Sequence, residues 1–204
     1  IVGTVSGNSI TFGTKTTFRS NNTMAFVKTA YDANAQRFAL AFGRNQVGNY
    51  GAEIIIGTIA SSGNSITFGG LQTITSGPGG HSYMDLVYDS NASKCVMLYP
   101  RITNNNTTNS NLMGRVVTVS TGGNSCTLHS DTVLDSNNNN QLTNAIYDST
   151  NNKVVAVRKV GTNSVGSVIS VNTSNNTLSI GGNTTVDTNG FALTPTMSYD
   201  VAND

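Results

Sequence analysis

The chain has 204 residues, only 10% of them charged, and a formal net charge of +1 at pH 7. Its 11 Lys and Arg residues form no basic stripe that could neutralise nucleic-acid phosphates, which argues against nucleic-acid binding. No apolar run reaches the roughly 18 residues that a membrane-spanning helix needs, so we expect no membrane insertion. The amino terminus lacks the basic start and apolar run of a signal peptide.

Two sequence landmarks recur in step along the chain. The heptamer GNSITFG occupies 7–13 and 63–69, and altered copies follow as GNSCTLH at 123–129 and NNTLSIG at 175–181. A Tyr-Asp pair recurs in steps of 57, 59 and 52 residues, at 31–32, 88–89, 147–148 and 199–200. A fixed period of tens of residues is typical of repeat architectures, so the chain is predicted to consist of structural repeats.

Each repeat is predicted to contain only β-strands. Short apolar runs rich in Val, Ile, Phe and Tyr alternate with Asn, Gly and Ser clusters, which indicates strands and turns. In the second full unit the predicted strands A to D are 82–89, 94–100, 114–120 and 125–134. The predicted units are 1–18 (strands C and D only), 24–75, 82–134, 142–188 and 193–204 (the start of a further unit).

Strand B distinguishes the architectures. The runs FALAF, CVMLY and VVAV are apolar at consecutive positions, which predicts cover on both faces of the sheet. Four-stranded meanders of this kind are typical of β-propeller blades, so we predict a propeller or partial propeller with a repeat of 52–59 residues. A β-solenoid is the alternative. Because the chain opens inside strand C and stops after strand A, we expect it to be a segment of a longer repeat protein.

The Asp of each Tyr-Asp pair heads a predicted hairpin turn. The following Asp and Asn residues suggest a calcium loop, but the Gly at the bend and the closing Glu of such loops are absent. We therefore predict that the four Asp side chains accept hydrogen bonds from backbone N–H groups of their turns; they are Asp32, Asp89, Asp148 and Asp200. The Tyr before each Asp is predicted to pack between neighbouring units.

Residues with catalytic or ligating chemistry are sparse. The two histidines lie in unlike contexts with no metal-site spacing, and Glu53 has no evident carboxylate partner for glycoside hydrolysis. Cys95 and Cys126 are predicted to be free thiols, because strand C should separate them beyond disulfide reach. The sequence thus predicts no enzyme, no metal site and no cofactor.

The loops between strands B and C and between strands D and A differ from unit to unit. Variable loops on a rigid scaffold are where binding residues tend to lie. If this rim binds a ligand, its candidate residues are Arg44, Tyr50, His81 and Arg101. The alternative is that these loops are plain solvated connections.

Units of the form GTVSGNSITFG followed by AYDANAQRF resemble the repeats of large structural and tail-fibre-like proteins of marine bacteriophages and of related bacterial surface proteins. The resemblance covers essentially the whole chain. It implies a non-enzymatic structural or adhesion module on a virion or cell surface, in contact with other copies or subunits of an assembly and with a glycan or receptor. Two alternatives stay open: a soluble carbohydrate-binding lectin, and the propeller part of a glycoside hydrolase.

Overall fold

The computed structural model describes residues 1–20, 24–44, 51–61, 63–76, 83–102, 110–136, 139–189 and 196–200. Every regular element in these ranges is a β-strand, so the predicted all-β class is confirmed. The same ranges contain no helix of the length and apolarity that crossing a membrane requires.

The strands form one hairpin and three antiparallel five-stranded sheets. The hairpin pairs β1 (Gly3–Ser6) with β2 (Ser9–Phe12). The first sheet consists of β3 (Met24–Asp32), β4 (Arg37–Arg44), β5 (Gly51–Ile59), β6 (Ile66–Phe68) and β7 (Gln72–Ser76). The second consists of β8 (Asp85–Asp89), β9 (Lys94–Ile102), β10 (Ser110–Val119), β11 (Cys126–Leu128) and β12 (Thr132–Asp135). The third consists of β13 (Asn140–Asp148), β14 (Lys153–Val160), β15 (Asn163–Asn172), β16 (Thr177–Ile180) and β17 (Thr184–Asp187).

The three sheets, called units 1, 2 and 3 below, repeat one topology. The first three strands of each unit form a meander that corresponds to the predicted strands A, B and C. Strand D is divided into two short segments, both of which pair with strand C. The prediction of one continuous strand D over 125–134 is therefore wrong: β11 and β12 pair separately with β10, because the pairing register shifts between them. The His129 N–H still bonds the Val116 carbonyl, and residues 130 and 131 form the break.

The apolar core lies between the units. Along β9, Cys95, Met97 and Tyr99 point into a cluster shared with unit 1, while Val96 and Leu98 point into a cluster shared with unit 3. Cover on both faces, predicted from CVMLY, is thus present in unit 2.

The same cover is present in unit 1 and incomplete in unit 3. In FALAF, Ala39 and Ala41 face unit 2, and Leu40 and Phe42 lie in a third cluster with Phe18. In unit 3 the cover predicted from VVAV is complete on one face only. Val154 and Ala156 are buried, whereas Val155 and Val157, on the other face, are half-buried.

Both cysteines are free thiols, as predicted. Cys95 lies on β9 and Cys126 on β11, with β10 paired between them. Burial raises the pKa of both thiols, to about 11 for Cys126. Cys95 is a buried core residue, whereas the prediction of a purely apolar role is wrong for Cys126, whose thiol donates to Gln72 Oε1 at 3.3 Å.

Candidate functional site

The turns between strands A and B have one conformation in all three units. The Asp32 Oδ1 atom accepts a hydrogen bond from the Ala35 N–H at 2.9 Å, and Asp89 Oδ1 accepts one from Ala92 N–H at 2.9 Å. Asp148 Oδ1 accepts bonds from Thr150 and Asn151 N–H, at 3.0 and 2.9 Å. Each turn ends in a residue of positive φ, namely Gln36, Ser93 and Asn152. The turn predicted after Asp200 falls on residues 201–204, which lie outside the described residues.

The tyrosine hydroxyls connect each of these turns to the next unit. Tyr88 Oη accepts a hydrogen bond from the Asn34 N–H at 3.3 Å, and Tyr147 Oη accepts one from the Asn91 N–H at 3.2 Å. Tyr199 Oη accepts a third from the Thr150 N–H at 3.3 Å. We call this recurring contact the tyrosine joint. In each described Tyr-Asp pair after the first, the tyrosine therefore contacts the preceding unit.

A second joint is formed by the repeated heptamer. The last glycine of one copy lies against the backbone carbonyl of the Asn in the next copy. A Cβ atom on Gly13 would lie 2.0 Å from the Asn64 oxygen, and one on Gly69 would lie 1.6 Å from the Asn124 oxygen. Heavy atoms cannot approach so closely, so these two positions require glycine. We call this contact the glycine joint.

The Asn124 side chain extends the glycine joint into a small hydrogen-bond network. Its Oδ1 accepts bonds from Arg37 Nε at 3.1 Å and from the Thr58 hydroxyl. Its Nδ2 donates to the Thr67 carbonyl at 3.0 Å. One amide therefore connects the strand B, C and D segments of unit 1 to unit 2.

Next to these joints, an open groove of about 480 Å³ runs between the turns of units 1 and 2. Its described lining residues carry mainly hydroxyl and amide side chains, together with the Lys94 ammonium: Asn34, Ser93, Lys94, Thr118, Ser120, Thr121, Ser125 and Thr127, with Val119 and Cys126. Such a surface can form hydrogen bonds with a polar, uncharged ligand. It lies on the rim opposite the loops in which the sequence predicted binding residues.

Of the four residues predicted for the variable rim, the structure describes the side chain of Arg101 alone. Tyr50 and His81 lie outside the described residues, and of Arg44 only the backbone, at the end of β4, is described. Arg101 lies on β9 with 46% of its side chain exposed, and its guanidinium is 3.5 Å from the Asp131 carboxylate.

Asp131 is the centre of a polar cluster that sequence reasoning missed. Its Oδ1 accepts hydrogen bonds from the Tyr99 hydroxyl and from Arg115 Nε, each at 2.5 Å. Arg115 also donates to the Ile74 carbonyl of unit 1 at 3.0 Å. Burial, and then the bond to Asp131, raise the pKa of Tyr99, so this phenol stays neutral. The cluster joins two units, because Arg115 of unit 2 bonds the Ile74 carbonyl of unit 1.

An equivalent cluster lies in unit 3 around a fully buried arginine. Arg158 occupies the strand B position of Tyr99, and its guanidinium donates to Asp135 Oδ2 at 2.6 Å. It also donates to Asn140, Ser167 and Asn183 at 2.7–2.9 Å. The buried charge is therefore both paired and hydrogen-bonded, as burial requires. The sequence sign of these two clusters is a polar residue at the end of the strand B run, Tyr99 in unit 2 and Arg158 in unit 3, where unit 1 has Phe42.

Strand A carries a third polar contact across the units. Asp85 is 5% exposed, and its Oδ2 accepts a bond from the Ala145 N–H of unit 3 at 2.7 Å. Its Oδ1 lies 3.4 Å from Lys28 Nζ of unit 1. Burial raises the pKa of Asp85, while the Ala145 bond and the Lys28 charge lower it. Among the described residues, no three His, Cys, Asp or Glu side chains meet where a metal could bind.

No family model, curated protein or solved structure matches this chain. The geometry of its own residues is therefore the basis for any functional conclusion. In the part of the chain that the structure describes, that geometry includes repeated joints, the polar clusters around Asp131 and Arg158, and the open polar groove between units 1 and 2.

Proposed function

We propose that this chain is a non-enzymatic structural module of the β-propeller type, which serves adhesion or assembly on a virion or cell surface. The observation that carries the proposal is the regular joint between units. Tyrosine hydroxyls and heptamer glycines recur in step and serve the contact between one unit and the next, while the turn carboxylates hold the turns that the tyrosines contact. Residues repeated in this way build a rigid array, whereas a catalytic centre is a single place.

The blade-like arrangement is supported by the way neighbouring units face each other. Each unit is an antiparallel meander, and its sheet packs face to face on the next. The first strands of successive units also lie together, since β8 packs against both β3 and β13. Propeller blades have their first strands next to one another in this way. The nearly uncharged surface suits an exterior module that avoids nonspecific electrostatic contacts.

The non-enzymatic part of the proposal is tested with a panel of polysaccharides incubated with the purified chain, with release of new reducing ends as the readout. We expect no release from any substrate. Release that is abolished by Glu53→Gln or Asp131→Asn, with an unchanged circular dichroism spectrum, would favour the glycoside hydrolase alternative. The adhesive part is tested by binding of the labelled chain to bacterial surfaces, which should saturate.

A carbohydrate-binding function is the second candidate, and the groove between units 1 and 2 favours it. Its volume of about 480 Å³ is within the range of ligand sites, and its hydroxyl and amide groups suit sugar hydroxyls. The test is a glycan array with the wild-type chain and Thr127→Val, which removes a groove hydroxyl. Thr11→Val is the matched control, because Thr11 occupies the same position of the heptamer in the amino-terminal hairpin. Equal binding by all three would exclude the groove.

A further inference from the structure

The amino-terminal side of unit 1 has the features of an inter-unit contact without the partner that fills it elsewhere. Of the exposed large apolar side chains among the described residues, seven of twelve lie within residues 1–31: Ile1, Val5, Ile10, Phe12, Phe26, Val27 and Tyr31. Val5, Ile10 and Phe12 share one face of the β1–β2 hairpin, which argues against scattered surface exposure. Phe26 is not part of this surface, because its ring packs against Tyr83 of unit 2 with centroids 5.1 Å apart. We call this surface the amino-terminal face.

Tyr31 is the first residue of the tyrosine series, and it differs from the others. Tyr88, Tyr147 and Tyr199 are half-buried and bonded to a turn of the preceding unit. Tyr31 is 56% exposed. Its hydroxyl has no hydrogen-bond partner among the described residues. It therefore offers the acceptor half of a tyrosine joint.

The β1–β2 hairpin corresponds to strands C and D of a unit, and its strand B side is open. Gly3 pairs with Phe12 as Gly57 pairs with Phe68. Gly57 also pairs with Phe38 of strand B, whose ring lies against it. Among the described residues, β1 pairs with β2 alone. Gly3 therefore lacks the strand B neighbour that Gly57 has in Phe38, and the Ile10 and Phe12 side chains lie against it instead.

The exposed side chains of this hairpin identify the chemistry of that partner. Phe68, the counterpart of Phe12, packs edge-on against Phe38 with ring centroids 5.8 Å apart. Phe12 is 64% exposed. Ile1 is 61% exposed, whereas its counterpart Ile55 is 3% exposed. Both apolar side chains become covered if a strand B with a Phe at the Phe38 position docks beside β1.

We infer that the amino-terminal face binds a β-hairpin formed by strands A and B of another repeat unit. The turn of the hairpin donates a backbone N–H to the Tyr31 hydroxyl, as Asn34 donates to Tyr88. Its second strand places an aromatic ring edge-on against Phe12, as Phe38 lies against Phe68. The inference goes beyond the proposed function, because the face binds this hairpin whether or not the module adheres to a host surface.

The test uses a dye-labelled synthetic peptide with the sequence of residues 30–43, AYDANAQRFALAFG, titrated with the full chain and followed by fluorescence anisotropy. Saturable binding is expected. Phe12→Ser should weaken binding at least about tenfold, because a Phe contact is lost. Tyr31→Phe should weaken it about two- to tenfold, since one hydrogen bond is lost. Val186→Ser, at a 60% exposed position of unit 3, is the matched control and should change nothing.

A second measurement tests the inference even if the isolated peptide does not fold into a hairpin. The same sequence is fused ahead of Ile1 through a Gly-Ser linker, with Phe38 of the added copy either retained or replaced by Ser. The retained form should unfold at a higher temperature than the Ser form. Failure of both the binding and the fusion experiments overturns the inference. Self-association of the chain would also overturn the inference if Phe12→Ser abolishes it and the peptide does not inhibit it. The partner bound at the amino-terminal face would then be a second copy of the chain.

Discussion

The hydroxyl of Tyr88 accepts a hydrogen bond from the backbone N–H of Asn34, 54 positions earlier in the chain. Asn34 lies in the turn whose head is Asp32, and Asp32 itself bonds Ala35. The Tyr of one Tyr-Asp pair therefore holds the turn that the preceding pair begins. The same relationship joins Tyr147 to Asn91. The Tyr-Asp dipeptide recurs in each unit because its Asp stabilises the turn of its own unit and its Tyr contacts the turn of the preceding unit.

The tyrosine joint should contribute measurably to stability. Tyr88→Phe removes one hydroxyl and should lower the free energy of unfolding in urea by about 0.5–1.5 kcal/mol. Tyr31→Phe is the matched control and should change it by less, because the Tyr31 hydroxyl is exposed and has no partner among the described residues. Equal losses in the two variants would contradict the joint.

The glycine joint should tolerate no side chain. Gly69→Ala places a Cβ against the Asn124 carbonyl, so the units must separate. We expect a loss of about 1–3 kcal/mol, the usual cost of overpacking, seen as a lower midpoint in thermal unfolding. Gly70→Ala is the control, because a Cβ there meets nothing within 4 Å. A stable Gly69→Ala protein would show that the heptamer glycine is not a contact residue.

The sequence was sufficient to predict features that recur. The all-β class, strands A to C and the two free thiols followed from periodic patterns or from strand order. Features that occur in only one or two units, such as individual polar clusters, leave no repeated pattern in the sequence and were not predicted. The division of strand D depends on a register shift between β11 and β12. Asp131 and Asn183, which lie in equivalent breaks, bond residues that only folding brings near them.

The two arginines with carboxylate partners should differ greatly in their effect on stability. Arg158→Met removes the fully buried guanidinium that pairs with Asp135, whose side chain is 8% exposed. Removing one partner of a buried pair typically costs about 3–5 kcal/mol, and urea unfolding should show a loss of that size.

Arg101→Met is the control, because its ion pair is 3.5 Å long and 46% of the arginine side chain is exposed. A change within about 0.5 kcal/mol is expected there. Similar losses for the two variants would mean that the Arg158 cluster is not closed to solvent.

The titration of Asp85 should depend on a lysine in the neighbouring unit. Burial raises the pKa of this carboxyl above its ordinary value of 3.8, and the nearby Lys28 ammonium lowers it. Lys28→Met should therefore move the Asp85 midpoint to higher pH in a carbon-13 NMR titration of the carboxyl group. Lys15→Met, which changes an exposed lysine that lies outside this contact, should leave the midpoint unchanged.

The same shift determines how stability depends on pH. Because folding raises the pKa of Asp85, the folded state binds the proton more tightly than the unfolded state. The stabilisation from this group is complete below about pH 3.8 and is lost as the pH rises through the folded pKa. The free-energy difference between wild type and Asp85→Asn should accordingly shift against the wild type over that interval. A difference that shifts in favour of the wild type would mean that the Lys28 charge and the Ala145 hydrogen bond outweigh burial.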